Sequence, residues 1–172
     1  MNKRLSYKIA GINDCEILTN IAYSWSDYKL MGGQGFKPNY IYKCVTEGDL
    51  PPIEGASKDN YTIKVIIDED SNKIIGYYDY YMGYPNEHTL WIGMMIIAKK
   101  YRKAGYGKEC FNNIIKEAKE KGAQRIGLAV YLKNWPALNF WFKQGFSKII
   151  GIYGDQEYSE SNYSTIALQF LM

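Results

Sequence analysis

The chain has 172 residues, 47% of them hydrophobic and 23% charged, with a formal net charge of +3. That composition is ordinary for a globular protein and gives enough chain for one sizeable core, so a single domain over residues 1–172 is expected. Bases are interleaved with acids rather than massed, which argues against a nucleic-acid surface. The longest apolar run, Leu90 to Ala98, is too short to cross a bilayer.

Lys3 and Arg4 precede no apolar stretch, so no signal peptide is read. Cys15, Cys44 and Cys110 form no CxxC pair and read as thiols in a reducing cytoplasm. His88 is the single histidine, without a ligand cluster beside it, and no metal is expected. The 17 tyrosines fit either a ring-rich core and surface or a pocket lined with rings. The count alone leaves both open.

In chain order, Leu5–Ala10 reads as a short strand. Asn13 or Asp14 is placed to cap a helix, with Glu16 set for a capping-box contact. "GGQGF", from Gly32, reads as a flexible turn, and 38–47 as a second short helix. "EGDLPPIEGASKDN", from Glu47, is one long loop. Tyr61–Ile67 alternates and is β-branched, which predicts a strand. A turn at "EDSN" leads to a strand over Lys73–Met82. After "GYPNE", Thr89–Ala98 is almost wholly apolar, as in a strand buried on both faces.

Cys110, Phe111, Ile114, Ile115 and Ala118 then share one helical stripe, and Gly122 is a suitable stop. Ile126, Leu128 and Val130 alternate as a strand. Asn134 can cap the next helix, with Pro136 in its first turn and Gly145 at its end. Ile149–Tyr153 and Ser164–Leu171 close the chain as strands. The sum is a mixed α/β layer.

The segment "YRKAGYGKEC", from Tyr101, places two glycines and two bases at a predicted helix start. The first N–H groups of a helix lack internal partners and carry the positive end of its dipole. Gly105 and Gly107 remove Cβ atoms that would hold an anion away from the backbone, and Arg102 and Lys103 add charge. The arrangement suits a pyrophosphate; it also suits a tight turn with a solvated basic flank. A Rossmann fingerprint would need a further glycine at Cys110, and a Walker A loop would need Gly-Lys-Ser/Thr. Neither is present.

The second stretch, "NWPALNFWFKQGF", follows the next strand. In this order and separation the two stretches resemble the GNAT superfamily of N-acetyltransferases. The family pattern is a strand, Q/R-x-x-G-x-G/A and a helix. A further strand then leads to N-x-x-A-x-x-hydrophobic-aromatic-x-x-x-G-F. Arg102, Gly105 and Gly107 match the first part; Asn134, Ala137, Phe140, Trp141, Gly145 and Phe146 match the second. "GDLPP" and "GYPNE" resemble a bacterial subgroup of unassigned substrate.

The resemblance implies a central mixed, mostly antiparallel sheet of about six or seven strands. Helices would flank it, and it would splay between its two central strands. It implies acetyl-CoA in that gap, with its pyrophosphate on N–H groups of Arg102, Lys103, Ala104, Gly105, Tyr106 and Gly107. The pantetheine arm would pair with the backbone at Met95, Ile96 and Ile97. Asn134, Asn139 and Trp141 would lie along the cofactor. An N–H near Ile96 would hold the developing oxyanion.

The family's glutamate base falls at Trp91, which cannot accept a proton, so Glu87 and His88 stand as replacements acting through water. Asp79, like Glu87, reads by default as a solvated charge. The family's tyrosine acid aligns with Trp141, a donor that keeps its proton near neutrality; Trp141 therefore reads as a channel wall or core. Tyr131 and Tyr153 are substitutes that no motif supports. The expected function is acetyl transfer from acetyl-CoA to an amine of a small molecule or peptide, by direct attack in a ternary complex. The rival is a non-catalytic acyl-CoA-binding or sensor domain. No nucleic acid, membrane or metal partner is expected, and the chain is expected as a monomer or homodimer.

Overall fold

Alternating β-branched and aromatic residues over 61–82 build a long hairpin. Its strands are β2 (Tyr61–Asp68) and β3 (Lys73–Met82), and Asn72 turns between them at a left-handed φ of 52°. In this computed structural model, which describes residues 4–25, 30 and 35–172, the hairpin is the middle of a wider sheet. Strand β1 (Leu5–Ile9) lies antiparallel on β2, and β4 (Thr89–Ile97) lies antiparallel on β3. A crossover through α3 (Tyr106–Glu120) brings β5 (Arg125–Tyr131) parallel to β4. After α4 (Trp135–Lys143) come β6 (Lys148–Gly154) and β7 (Ser164–Leu171). The seven strands run β1-β2-β3-β4-β5-β7-β6, with every pair antiparallel except β4–β5.

Side chains alternate across a strand, so each face of the sheet gathers its own core. On one face α1 (Cys15–Tyr23) and α2 (Tyr40–Thr46) cover Ile63, Val65, Tyr77, Tyr81 and Ile96. On the other, α3 and α4 cover Tyr78, Tyr80, Ile92, Leu128, Val130 and Phe146. Tyr77, Tyr78 and Tyr80 are among the largest fully buried side chains, so many rings are core. Buried hydroxyls need acceptors. Glu117, on the inner side of α3, takes Tyr78 at 2.8 Å and Tyr80 at 3.0 Å, with Lys64 at 2.8 Å. The apolar stripe of α3 thus includes one buried carboxylate that periodicity did not mark.

The elements fall where they are expected, with local differences. Asp14 does not cap α1: its carboxylate turns back to Gly11 N (2.9 Å) and Lys8 Nζ (2.8 Å), holding the short turn before the helix. Asn134 does cap α4, accepting from Ala137 N at 3.3 Å. Most of the turn expected from Gly32 lies outside the described residues.

The parallel pairing of β4 with β5 runs from Thr89↔Arg125 to Ile92↔Leu128 and stops there. Just past it, β4 bulges. Asp79 pairs with Met94 and Tyr80 with Ile92, so Gly93 is the extra residue. The second half of β4 is bound to β3 alone and leaves its other edge open toward β5.

Candidate active site

A cavity of about 680 Å³ opens at this divergence. Met95, Ile96 and Ile97 line it from β4. Arg102, Lys103, Gly105, Gly107 and Lys108 line it from the turn and the start of α3. Asn134, Pro136, Ala137, Phe140, Trp141 and Gln144 close it from α4, with Trp25 at its far side.

The turn has a backbone reason for its sequence. Lys103 and Gly105 both take left-handed φ, 64° and 89°. Such reversals aim successive N–H groups into one concavity that suits an anion. Glycine is the residue that adopts such a φ at no steric cost, which accounts for Gly105. The first helical bond of α3 is Glu109 N to Gly105 O, 3.2 Å, so Tyr106, Gly107 and Lys108 carry N–H groups without an earlier carbonyl.

Gly107 also serves packing. A Cβ there would meet Phe140 at 3.1 Å, so the missing atom lets α3 close on α4 at the cavity wall. The cations Arg102, Lys103 and Lys108 stand on the cavity side, and Arg102 Nε donates to Ile97 O at 2.8 Å.

The ladder decides which groups of β4 face the gap. Opposed residues of an antiparallel pair alternate between hydrogen-bonded and open. Ala98 N donates to Ile75 O at 2.8 Å, and the register continues through Gly76↔Ile97, Tyr77↔Ile96 and Tyr78↔Met95. Ile96 therefore spends its N–H on β3. Met95 and Ile97 turn theirs to the open edge, and the Ile97 carbonyl is already held by Arg102. Ile96 lines the cavity, and the N–H near it that is turned to the open edge belongs to Met95.

Other expected residues divide. Asn134 is buried, lines the cavity and caps α4 at once. Trp141 is 7% exposed and packs edge-on against Phe111, Phe140 and Phe146, a cavity wall and core together. Ala104 and Tyr106 do not line the cavity with their side chains. Ala104 O accepts from Arg4 (3.2 Å), and the Tyr106 hydroxyl turns away to Asp68 (3.0 Å). Asn139 is exposed on the outer side of α4 and lies outside the cavity lining.

Glu87 and His88 are not brought to the site. They pair with each other at 3.1 Å in the turn before β4. At about 3.3 Å per residue, that is roughly 20 Å along the strand from Met95. Trp25, Lys108, Pro136 and Gln144 were missed, and Ala137 and Phe140 were marked only as pattern matches. Lys108 follows directly on the glycine turn and could have been read from it; nothing in the sequence marks Trp25 or Gln144.

Asp79 is the larger correction. It is 1% exposed rather than solvated. Its carboxylate accepts from Met94 N at 2.8 Å and from the Tyr61 hydroxyl at 2.9 Å. Burial pushes it up to about 7, opposed by those hydrogen bonds and aided by nearby Asp49. A Cβ on Gly93 would collide with Asp79 Oδ1, so the bulge is shaped around this carboxylate. Trp91, where a base was sought, lies over Gly127, whose Cβ would come within 2.7 Å of the indole.

An acetyltransferase (GNAT) family model matches residues 34–146, which span the glycine turn, the diverging strands and α4. The chain belongs to that family. No curated protein matches it by sequence. Among solved structures it is similar to an acetyltransferase from Thermus thermophilus, with a TM-score of 0.74 at 16% identity. That match covers 98% of this chain and 97% of the other. It is also similar to spermidine N-acetyltransferase from Vibrio cholerae in complex with CoA and spermine, with a TM-score of 0.75 at 13% identity, covering 99% and 96%. NAA60 of Arabidopsis thaliana, in complex with a bisubstrate analogue, gives 0.69 at 13% identity, covering 98% and 99%. At these identities the likeness is one of fold: a seven-stranded, mostly antiparallel sheet with helices on both faces, the GNAT fold.

Among the described residues no helix is long and apolar enough to cross a membrane, and no group of three or more His, Cys, Asp or Glu is placed to hold a metal ion. The GNAT family to which the chain belongs uses acetyl-CoA as its acetyl donor.

Proposed function

We propose that the chain, acting as one unit over residues 1–172, transfers acetyl from acetyl-CoA to an amine by direct attack in a ternary complex. The observation that carries this reading is the open edge of β4 beside a cationic helix start. Two unspent N–H groups, at Met95 and Ile97, face the same cavity as Arg102, Lys103 and Lys108. When bound, acetyl-CoA supplies an activated acyl carbon. Arg102, Lys103, Lys108 and the N–H groups of Gly105, Tyr106 and Gly107 hold the pyrophosphate. Ile97 N–H and Asn134 hold the pantetheine arm, and the Trp141 ring walls it. Met95 N–H donates to the thioester oxygen and strengthens that bond as charge develops there.

Direct attack fits the absence of an activated nucleophile near the cavity among the described residues. Cys110 is fully buried on α3, and burial pushes its thiol up. An amine acceptor fits the fold's company, since the Vibrio cholerae structure is of a spermidine N-acetyltransferase. Free thiols at Cys15, Cys44 and Cys110 fit work in a reducing cytoplasm.

The test is calorimetry with CoA followed by thiol release from acetyl-CoA against a panel of primary amines. Micromolar binding and amine-dependent release are expected. No CoA binding would refute the site. Binding with no release across the panel would favour a sensor domain.

A further inference from the structure

In the face of the sheet covered by α1 and α2, Asp79 is buried with neutral donors only: Tyr61 OH, Met94 N and Gly93 N. Among the described residues no Lys, Arg or His pairs with it. An unpaired buried carboxylate is costly, which makes it a candidate for receiving a cation or a proton. Its surroundings point the same way. Gly93, directly over Asp79 Oδ1, is exposed at the point where β4 leaves β5. Two residues earlier on β3 the Tyr77 hydroxyl is buried with no hydrogen-bond partner.

Rings pack on the same face of the sheet. Trp25 lies 6.1 Å from Phe36 and Phe36 lies 5.3 Å from Tyr40, whose hydroxyl donates to Asp49 at 2.8 Å. Aromatic faces beside carboxylates receive ammonium groups.

We propose that Asp79 is the proton-accepting floor of the acceptor site, reached at the exposed Gly93 bulge, and that the acceptor arrives as a small primary ammonium. This rests on the acetyltransferase reading and adds to it the group that Trp91 cannot supply. The carboxylate comes from β3, across the bulge, instead of from β4. The ammonium gives one proton to Asp79. The freed lone pair forms the C–N bond at the thioester carbon, and the C–S bond breaks. The departing thiolate takes the second proton from nitrogen and leaves as thiol, and Asp79 returns its proton to water.

The groups facing Asp79 are Tyr61 from β2, Tyr77 from β3, Tyr40 and Cys44 from α2, and Asp49 after α2. Burial first, then Asp79 itself, pushes Tyr61, Tyr40, Tyr77 and Cys44 upward, Cys44 to about 11. All four are neutral where Asp79 titrates, at about 7, which suits a base working near neutral pH.

The test uses the full chain saturated with CoA, carrying ¹³C-labelled aspartate carboxyls, and Asp79→Asn to assign the resonance. Asn keeps an acceptor for Met94 N and cannot take the proton. Benzylamine, titrated in, is expected to move the Asp79 resonance saturably and to lower its midpoint by at least one pH unit. Benzyl alcohol, of the same shape and uncharged, should do neither. A resonance indifferent to benzylamine, or moved equally by the alcohol, overturns the proposal.

The second arm follows thiol release with benzylamine and acetyl-CoA. Asp79→Asn should lower kcat/KM at least 100-fold and abolish the acidic limb near pH 7, with CoA affinity within threefold of the parent. An acidic limb that survives in the variant overturns the proposal. Absence of CoA binding in the parent would instead sink the acetyltransferase reading, while the resonance shift, then measured without CoA, still decides the ammonium site.

Discussion

Replacing Arg102 by Ala should weaken CoA binding more than it weakens the fold. Arg102 does two things at the cavity: its Nε holds the Ile97 carbonyl at 2.8 Å, and its charge stands at the helix start. A hydrogen bond with a charged partner contributes about 1.5–3 kcal/mol, and water returns part of that at a half-buried site. The fold should therefore lose about 1 kcal/mol, or about 2–4 °C in Tm for a chain of this size. In the complex the loss is larger, because the pyrophosphate forfeits a cation and the Ile97 peptide beside it loses its anchor. About 1.5–3 kcal/mol there is roughly a 10- to 100-fold rise in Kd. Calorimetry with CoA at two salt concentrations measures it. The variant should also show a shallower salt dependence, since one fewer cation meets the phosphates. Arg102→Lys should fall between, keeping the charge but losing the planar donor. A Kd within threefold of the parent, with Tm lowered as expected, would mean that Arg102 only braces β4.

Asn134→Ala should cost about 1 kcal/mol of stability from the lost cap on α4 and raise KM for acetyl-CoA; a change in Tm alone would make Asn134 a cap and nothing more. Met95→Pro removes an N–H that the ladder does not use, so the chain should fold while kcat falls about 100-fold or more. Turnover within tenfold of the parent in a folded variant would refute Met95 as the oxyanion donor. Hydrogen bonds from Lys64, Tyr78 and Tyr80 outweigh burial and hold Glu117 below the usual glutamate range. Its stabilisation is thus present above that range and lost as pH falls through it. Glu117→Gln should lower Tm at pH 7 and flatten its decline toward pH 3, read by thermal melts. Asp79 has the opposite sign, because its folded value near 7 lies above the usual 3.8. Raising pH from 4 to 8 should cost the parent up to about 4 kcal/mol that Asp79→Asn does not lose, so the variant should gain in relative Tm as pH rises.

The parts of this site that depend on local rules were legible in the sequence, and those set by pairing were not. Gly105, Asn134 and the α3 stripe announce themselves because a left-handed turn, a cap and a helical period each demand particular residues within a few positions. Which peptide of β4 faces the gap depends on the register against β3, and a shift of one residue exchanges Ile96 for Met95. Asp79 was hidden for the same reason. In a strand reading "YYDYY" a carboxylate between rings looks like a polar face. Only the bulge at Gly93, formed between two strands, encloses it. Trp91 then has an explanation that family likeness alone could not give. A glutamate there would place a second carboxylate on the same face as Asp79, two residues from the bulge, and two nearby acids cannot both stay ionised without cost. One strand or the other can supply the base. With Trp91 packed on Gly127 and Tyr84, β4 gives the wall, and β3 is left to give the base.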